Sequence, residues 1–340
     1  MKFGISFGGT YLPSRRMAEL AKEAEIGGFE HIWFGDSQMV YRDPYVSMAL
    51  CALNTSKVKL GTAVTNPYTR DPSVTANSIL TAYEVAPGRM ILGIGTGDSA
   101  VRRIDSKPRP VKEVESAVNT IRNLVEGREI EYKKGQKFGI IFTEGVKIPV
   151  YVVASGPLML QMAGRAGDGV LMNTGSVSES IDFAVENVTK GAEEAGKDIS
   201  EIDRTSVNLW SVAEDRKTAI DLGRPYVEWF MVNSPWLLDT AGFSSQSLKA
   251  KMEEMKANYL KYDFIHTTDW KKALMSSGFI TDEMVSKLTV SGTPEDCIKK
   301  IKMFEERGAT SVMVRHTMEN EDEWVNFLRT IIDHVIPAFR

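Results

Sequence analysis

The stretch that decides the fold is residues 58–94, VKLGTAVTNPYTRDPSVTANSILTAYEVAPGRMILGI. It begins with a strand-like run that ends at Val64, and it closes with a second apolar run over residues 89–94. Between them, from about Ser73 to Tyr83, apolar residues recur at helical spacing. Proline and glycine separate the three segments. The stretch therefore predicts a strand, a helix and a second strand of a parallel sheet.

The same alternation continues on both sides of this stretch. Further strands are predicted over residues 2–7, 31–34, 148–153, 169–172, 205–212 and 311–315, with helical patterns between them. Eight strands, each followed by a helix, predict an α/β fold of the (β/α)8 TIM barrel type with insertions. An open doubly wound sheet is the alternative, but no GxGxxG follows the first strand, where residues 7–11 read FGGTY.

The length of 340 residues suits one barrel domain over residues 1–340 with its insertions. The longest insertion separates the seventh and eighth strands, and it must contain elements of its own. Its last part predicts a helix that starts at Thr293 and stops at Gly308. The part over residues 225–280 is rich in aromatic residues and suits a lid over the barrel mouth, a satellite core or a subunit contact. A hairpin-like excursion is predicted over residues 127–142.

Composition narrows the function. The chain is 43% hydrophobic and 25% charged, with a net charge of −4, so it lacks the basic excess that nucleic-acid binding requires. No apolar run is long enough for a membrane span, and the first residues do not read as a signal peptide. We expect a cytoplasmic protein with a small-molecule partner. Cys51 and Cys297 lack a metal or redox motif and are predicted to be buried structural thiols.

Active sites of such barrels form at the carboxyl ends of the strands. The residues predicted there are mostly small, hydroxylic or amidic, with two acids and one histidine, and they include Asp36, Thr65, Asn66, Thr96, Gly97, Asp98, Asn173 and His316. These positions contain no HxH motif or carboxylate cluster for a metal, and no lysine for a Schiff base. The set suits a flat polar cofactor that supplies the chemistry itself.

Two turns are candidate ligand contacts. Residues 154–157, Ala154-Ser155-Gly156-Pro157, end a strand and start a helix, where free backbone N–H groups favour a phosphate, although this is also an ordinary helix start. Residues 93–100, GIGTGDSA, form a glycine-rich turn that permits close approach of a ligand to the backbone. Within it, Asp98 could orient the substrate, donate a proton if burial favours its protonated form, or be the N-cap of the next helix.

Taken in order, these turns resemble the luciferase-like superfamily of flavin and deazaflavin oxidoreductases, and within it the F420-dependent methylenetetrahydromethanopterin reductases. The resemblance is carried by residues 60–72 (LGTAVTNPYTRDP), 92–98 (LGIGTGD) and 151–169, and by the terminal Val335-Ile336-Pro337. It covers nearly the whole chain except residues 225–280. The coenzyme it implies is F420 or FMN.

The resemblance also implies roles for single positions. A non-prolyl cis peptide is expected at Ala63–Val64, behind the central ring of the coenzyme. The turn Thr96-Gly97-Asp98 is expected to approach that ring, and Ser155-Gly156-Pro157 to bind the phosphate. Asp36 matches the acid after the second strand and is a candidate catalytic and cofactor-binding residue, but the histidine that usually follows it is replaced by Ser37. Proton handling must then lie elsewhere, with Asp98 and His316 as the candidates.

Three functions remain open at this point. The first is an F420-dependent reductase or dehydrogenase that transfers a hydride to or from a small organic substrate. The second is a monooxygenase that uses reduced FMN and O2. The third is a non-redox barrel that binds a phosphorylated metabolite at the Ser155 helix start. The resemblance implies a homodimer or a higher homo-oligomer, and the sequence does not identify the substrate.

Overall fold

The structure is a computed structural model that describes residues 1–7, 12–254, 279–316 and 320–340. Its strands are short and mostly buried. In chain order they are β1 (Lys2–Ser6), β2 (His31–Phe34), β3 (Lys59–Thr62), β4 (Met90–Ile94), β5 (Ile130–Lys133), β6 (Gln136–Phe138), β7 (Val150–Ala154), β8 (Gly169–Met172), β9 (Asp203–Val212), β10 (Val290–Gly292) and β11 (Ser311–Arg315).

The fold is a (β/α)8 barrel, as the sequence predicts. Neighbouring strands of the main sheet follow the order β10-β9-β11-β1-β2-β3-β4-β7-β8, and a further pairing of β8 with β9 closes the barrel. The pairs are parallel, with Phe3 opposite Val312 between β1 and β11 and Ile32 opposite Leu60 between β2 and β3. The hairpin of β5 and β6 is antiparallel and separate from this sheet, so the predicted excursion over residues 127–142 is confirmed.

Helices connect the strands, and the two whose bounds were predicted, over residues 73–83 and 293–308, begin and end within a few residues of those positions. They are α1 (Ser14–Gly27), α2 (Pro44–Asn54), α3 (Pro72–Val85), α4 (Ser99–Arg102), α5 (Val111–Val125), α6 (Pro157–Ala166), α7 (Ser178–Glu194), α8 (Arg216–Asn233), α9 (Trp236–Thr240), α10 (Asp282–Leu288), α11 (Pro294–Glu306) and α12 (Glu321–Thr330). The predicted helix start at Thr293 is confirmed, because its side chain accepts a hydrogen bond from Asp296 N in a capping box.

The third strand departs from its prediction. It ends at Thr62, whereas the apolar pattern continues to Val64. The peptide bond Ala63–Val64, directly after this strand, is cis. The resemblance implies a cis bond at this position.

Contacts divide the chain into two compact units. The first comprises Met1–Leu12, Met172–Glu186 and Arg204–Arg340, and the second comprises Pro13–Leu171 and Asn187–Asp203. In the second unit, helices such as α5 bury one apolar face, with Val114, Val118 and Ile121 inaccessible.

The insertion after β9 belongs to the first unit. Helix α8 continues through Pro225 to Asn233, and its Tyr226 and Phe230 form a buried cluster with Leu237 and Val285. Residues 255–278 lie outside the described residues, so the lid over residues 225–280 stays a prediction. No helix among the described residues is long and apolar enough to cross a membrane.

Candidate functional site

The ends of β3 and β4 are joined by hydrogen bonds on both sides of the cis bond. Thr62 Oγ1 donates to Gly93 O (2.7 Å) and accepts from Gly93 N (2.9 Å). After the cis bond, Thr65 N donates to Gly93 O and Gly95 N donates to Thr65 O, both at 3.0 Å. The backbone of Thr65 is therefore fixed at the carboxyl end of the sheet.

The glycine-rich turn serves the packing of the protein itself. A Cβ on Gly93 would lie 1.9 Å from the Thr62 carbonyl oxygen, and a Cβ on Gly95 would lie 2.4 Å from Val153. Gly97 has a φ of +84°, which favours glycine. The interpretation that these glycines admit a ligand to the backbone is wrong for Gly93 and Gly95, because neighbouring strands occupy that space.

Asn66 is buried and uses its amide within its own loop. Its Oδ1 accepts from Tyr68 N (3.1 Å) and Thr69 N (2.9 Å), and its Nδ2 donates to Thr69 Oγ1 (2.9 Å). The side chain thus shapes residues 66–69 in an Asx turn. Its predicted contact with a cofactor stays a prediction, and such a contact would use the second Nδ2 hydrogen or the backbone.

Asp36, which follows β2, lies in an ion-pair network centred on Arg70. Arg70 Nε lies 3.1 Å from Asp36 Oδ2, and its Nη2 lies 3.4 Å from Asp36 Oδ1 and 2.9 Å from Asp43 Oδ2. The Asp36 side chain is only 10% exposed. Burial lowers the pKa of the Arg70 guanidinium, but the two carboxylates outweigh this effect and raise it above its ordinary value. Asp36 is therefore held by a permanent cation.

Two buried hydroxyls in this region make no well-formed hydrogen bond within the described chain, although they lie close enough to interact weakly with each other. They belong to Tyr45 and Thr65. The Tyr45 ring lies under the Arg70 guanidinium, with its centroid 5.0 Å from Cζ. Burial, followed by the charge of Asp36, raises the pKa of the Tyr45 phenol above its ordinary value, so the hydroxyl keeps its proton. Buried polar atoms are usually satisfied, and these two are available to a ligand or an ordered water.

The loops after β2 and β4 are also joined to each other. Ser37 Oγ lies 2.6 Å from Ser99 Oγ, and Gln38 Nε2 donates to Ala100 O at 2.6 Å. Ser37 is the residue that replaces the expected histidine. Its hydroxyl therefore bonds the start of α4 at this position.

Asp98 occupies the N-cap position of α4, but its side chain does not cap the helix. Its Oδ1 accepts from Arg102 Nε at 2.6 Å, and the side chain is 40% exposed. The burial on which the proton-donor prediction depends is therefore absent, whereas the predicted N-cap position of Asp98 is confirmed, although its side chain makes no capping hydrogen bond. Its catalytic role stays a prediction.

The end of β7 and the start of α6 carry the predicted phosphate contact. Ala154 is buried in β7, Ser155 is partly exposed, and Gly156 is the N-cap with Pro157 in the first turn. Gly156 has no side chain to cap the helix, and a Cβ built on it meets no heavy atom within 4 Å among the described residues. The space beside Gly156 is thus free of other described atoms, which leaves room for an anionic group at this helix start.

His316 and Asn173 belong to the first unit. The ring of His316 stacks on Phe327 with centroids 4.3 Å apart, and its Nδ1 lies 2.5 Å from Trp210 O and 3.0 Å from Tyr226 Oη. Since a carbonyl only accepts, Nδ1 carries the proton. Burial lowers the pKa of His316 to about 3, so it is neutral near pH 7 and is a poor general acid there. Asn173 is partly buried.

The residues predicted after β2, β3, β4 and β7 thus lie at the carboxyl ends of a parallel sheet. The sequence reasoning identified Asp36, Thr65 and Gly156 but missed Arg70, although Arg70 lies inside the quoted TNPYTRDP segment. Buried hydroxyls without a well-formed hydrogen bond and an open helix start fit a ligand with polar ring edges and an anionic group. The protein is therefore a (β/α)8 barrel with a candidate ligand site where barrel enzymes have their active sites.

Comparison with known proteins identifies the family. The profile described as luciferase-like monooxygenase matches residues 1–311. The 5,10-methylenetetrahydromethanopterin reductase of Archaeoglobus fulgidus is 36% identical over 325 residues, which cover 92% of each chain. That of Methanopyrus kandleri is 31% identical over an alignment of 362 residues, which covers 99% of each chain. The structure of the coenzyme F420 dependent tetrahydromethanopterin reductase from Methanopyrus kandleri superposes with a TM-score of 0.82 at 28% identity, covering 100% of this chain and 99% of that one.

This chain belongs to the luciferase-like monooxygenase family. The resemblance stated from the sequence is therefore confirmed.

Proposed function

We propose that this protein is an F420-dependent oxidoreductase that transfers a hydride between the coenzyme and a small organic substrate, as a methylenetetrahydromethanopterin reductase does. The observation that carries the proposal is the likeness to such reductases over more than nine-tenths of the chain, at 36% and 31% identity. The strand-end residues of the barrel fit that coenzyme. When bound, the deazaflavin supplies a ring carbon that carries and delivers the hydride.

The residues of this chain would bind and orient the coenzyme. Thr65 and Tyr45 offer buried hydroxyls without a well-formed hydrogen bond to the polar edges of the ring system. The open start of α6 at Gly156 receives the phosphate. Asp36, held by Arg70, keeps a fixed negative charge in the loop after β2. Asp98, which is ion-paired with Arg102 at the end of β4, would orient the substrate.

A titration tests this proposal. Purified protein is mixed with oxidised F420 or FMN, and binding is followed by absorbance and fluorescence. We expect saturable binding of F420, and oxidation of reduced F420 when methylenetetrahydromethanopterin is added. Binding of neither coenzyme would favour the non-redox barrel, whose only ligand site is the helix start near Ser155.

The second candidate function is an FMN-dependent monooxygenase that uses O2. It is supported by the family profile, which is described as a monooxygenase, and by Ser37, which stands where the reductases usually have histidine. Tight binding of reduced FMN, with O2 consumed when a substrate is added, would support this function over the first.

We also propose that the chain forms a homodimer through α2. This helix has no charged residue, and it exposes Val46 and Leu53, seven positions apart on one face. Light scattering after size exclusion should give twice the mass of the chain, and Val46→Glu with Leu53→Lys should give the monomer. A dimer that survives this pair of changes would refute the assigned face.

We further propose that the chain folds as a single barrel domain and is located in the cytoplasm. Both cysteines are free and buried, which suits a reducing compartment. One cooperative unfolding transition and recovery in the soluble cell fraction are the expected results.

A further inference from the structure

Arg109 lies beside the carboxyl end of β4, and within the described residues its guanidinium makes a long ion pair but no hydrogen bond. Its backbone N–H donates to Thr96 O at 2.7 Å, which anchors the residue beside the turn predicted to approach the coenzyme ring. The closest carboxylate oxygen, Glu113 Oε2, lies 3.6 Å from Nε, which is too long for a hydrogen bond. Within the described residues, the two terminal nitrogens of the guanidinium therefore have no acceptor, although the side chain is only 33% exposed.

The ring of Tyr68 fixes the direction of this guanidinium. Arg109 Cζ lies 3.9 Å from the ring centroid, a stacked cation–π contact. Tyr68 is itself placed by the Asx turn of Asn66, whose Oδ1 accepts from Tyr68 N. Stacking leaves the edge of the planar guanidinium available for hydrogen bonds, because the ring covers only one face. The guanidinium of Arg109 is thus held in place by Tyr68 with its N–H donors ready to bind an acceptor.

The charge around Arg109 favours an anion. Between residues 102 and 113 the chain has five basic side chains and two acidic side chains, Asp105 and Glu113, although the whole protein has a net charge of −4. Arg102 is paired with Asp98, but Lys107 and Lys112 are exposed on the same segment. A phosphate or carboxylate that approaches the end of β4 therefore meets a locally positive potential.

We propose that Arg109, oriented by Tyr68, binds an anionic group on the side chain of the coenzyme. The inference rests on the proposed function and deepens it. The ligand chemistry is a phosphate or carboxylate oxygen pair that accepts two parallel N–H bonds from the fork. Arg109 is a binding residue that takes no part in hydride transfer.

Three deazaflavins separate the sources of the anion. They are the deazaflavin nucleoside without phosphate, the same molecule extended by phospholactate, and F420 with its glutamate tail. Binding is measured through deazaflavin fluorescence, without substrate, on wild type and on Arg109→Gln. We expect Arg109→Gln to weaken binding of F420 about tenfold and to leave the uncharged nucleoside unaffected. An effect that first appears with phospholactate identifies the phosphate, and one that first appears with F420 identifies the glutamates.

Matched variants separate a specific contact from general charge. Lys107→Gln removes the same charge from the same segment and should change the affinity less than twofold. Tyr68→Leu should weaken F420 binding severalfold, whereas Tyr68→Phe, which keeps the ring, should not. The loss in Arg109→Gln should shrink as salt is added. Circular dichroism and thermal unfolding check that each variant is folded.

Two results overturn the inference. If wild type binds F420 and Arg109→Gln binds it equally well, or loses affinity for the nucleoside to the same extent, Arg109 has no anion to bind and the proposed function stands. If wild type binds none of the three deazaflavins, the proposed function fails and the inference fails with it.

Discussion

Replacing Arg70 by glutamine should destabilise the protein through the carboxylate that it leaves behind. In the wild type, both Asp36 oxygens face the guanidinium, at 3.1 and 3.4 Å. Glutamine retains most of the side-chain length but removes the charge. Asp36 would then be a carboxylate that is 10% exposed and lacks its cation.

The size of the effect follows from this burial. Breaking a buried ion pair by removing one partner costs about 3–5 kcal/mol. Arg70 is 21% exposed, which lowers the expected cost to about 3 kcal/mol, including the lost contact with the Tyr45 ring. An unfolding entropy of about 2.1 cal/mol/K per residue, scaled to this chain, converts that cost into a Tm lower by about 4 °C.

Thermal unfolding by circular dichroism measures this shift, and Asp43→Asn is the matched control. Asp43 also contacts Arg70, at 2.9 Å, but it is 43% exposed, and an asparagine can still cap α2. We expect the control to lower the free energy of unfolding by less than 1 kcal/mol. An unchanged Tm for Arg70→Gln, or equal losses in both variants, would refute the reasoning that the burial of Asp36 sets the cost.

Three further predictions concern other parts of the chain. Because the pKa of His316 is lowered to about 3, only the unfolded state gains this proton as the pH falls below about 6.5. The wild type should therefore lose about 2.5 kcal/mol of stability between pH 7 and 4.5, a loss that His316→Asn should not show. Equal losses of the two proteins in urea titrations would contradict this. Gly95→Ala, whose Cβ would lie 2.4 Å from a valine methyl, should lower the free energy of unfolding by about 1–3 kcal/mol. Gly156→Ala places its Cβ in open space, so it should leave Tm unchanged and weaken coenzyme binding. The reverse pattern would contradict the assignment of Gly95 to strand packing. Burial raises the pKa of Cys51 and Cys297 to about 12, so neither should react with a thiol reagent before denaturation, and rapid labelling of either would show it to be exposed.

The barrel could be predicted from the sequence because the apolar pattern within each strand and helix indicates that element without information from distant residues. The buried strand His31–Phe34 has the predicted bounds, and the amphipathic helix Val111–Val125 lies between two predicted strands where a helical pattern is predicted. The third strand was predicted too long because Ala63 and Val64 continue the apolar pattern. Only the backbone shows that the ladder ends at Thr62.

The site was predictable in part. Asp36 and Gly156 follow from their positions after strands in a parallel barrel. The pairing of Asp36 with Arg70 joins residues 34 positions apart and depends on two loop conformations that no periodicity encodes. The roles of Gly93 and Gly95 could not be predicted either, because a glycine in a sequence is compatible with close approach of a neighbouring strand as well as of a ligand.

The most direct test of the account is a fluorescence titration of the wild-type protein with oxidised F420, repeated with FMN and with the Gly156→Ala variant. We predict saturable binding of one F420 per chain, weaker binding of FMN, and a loss of F420 affinity when a methyl group enters the space at the start of α6. Tight binding of FMN with no binding of F420, or equal F420 binding by the variant, would contradict it.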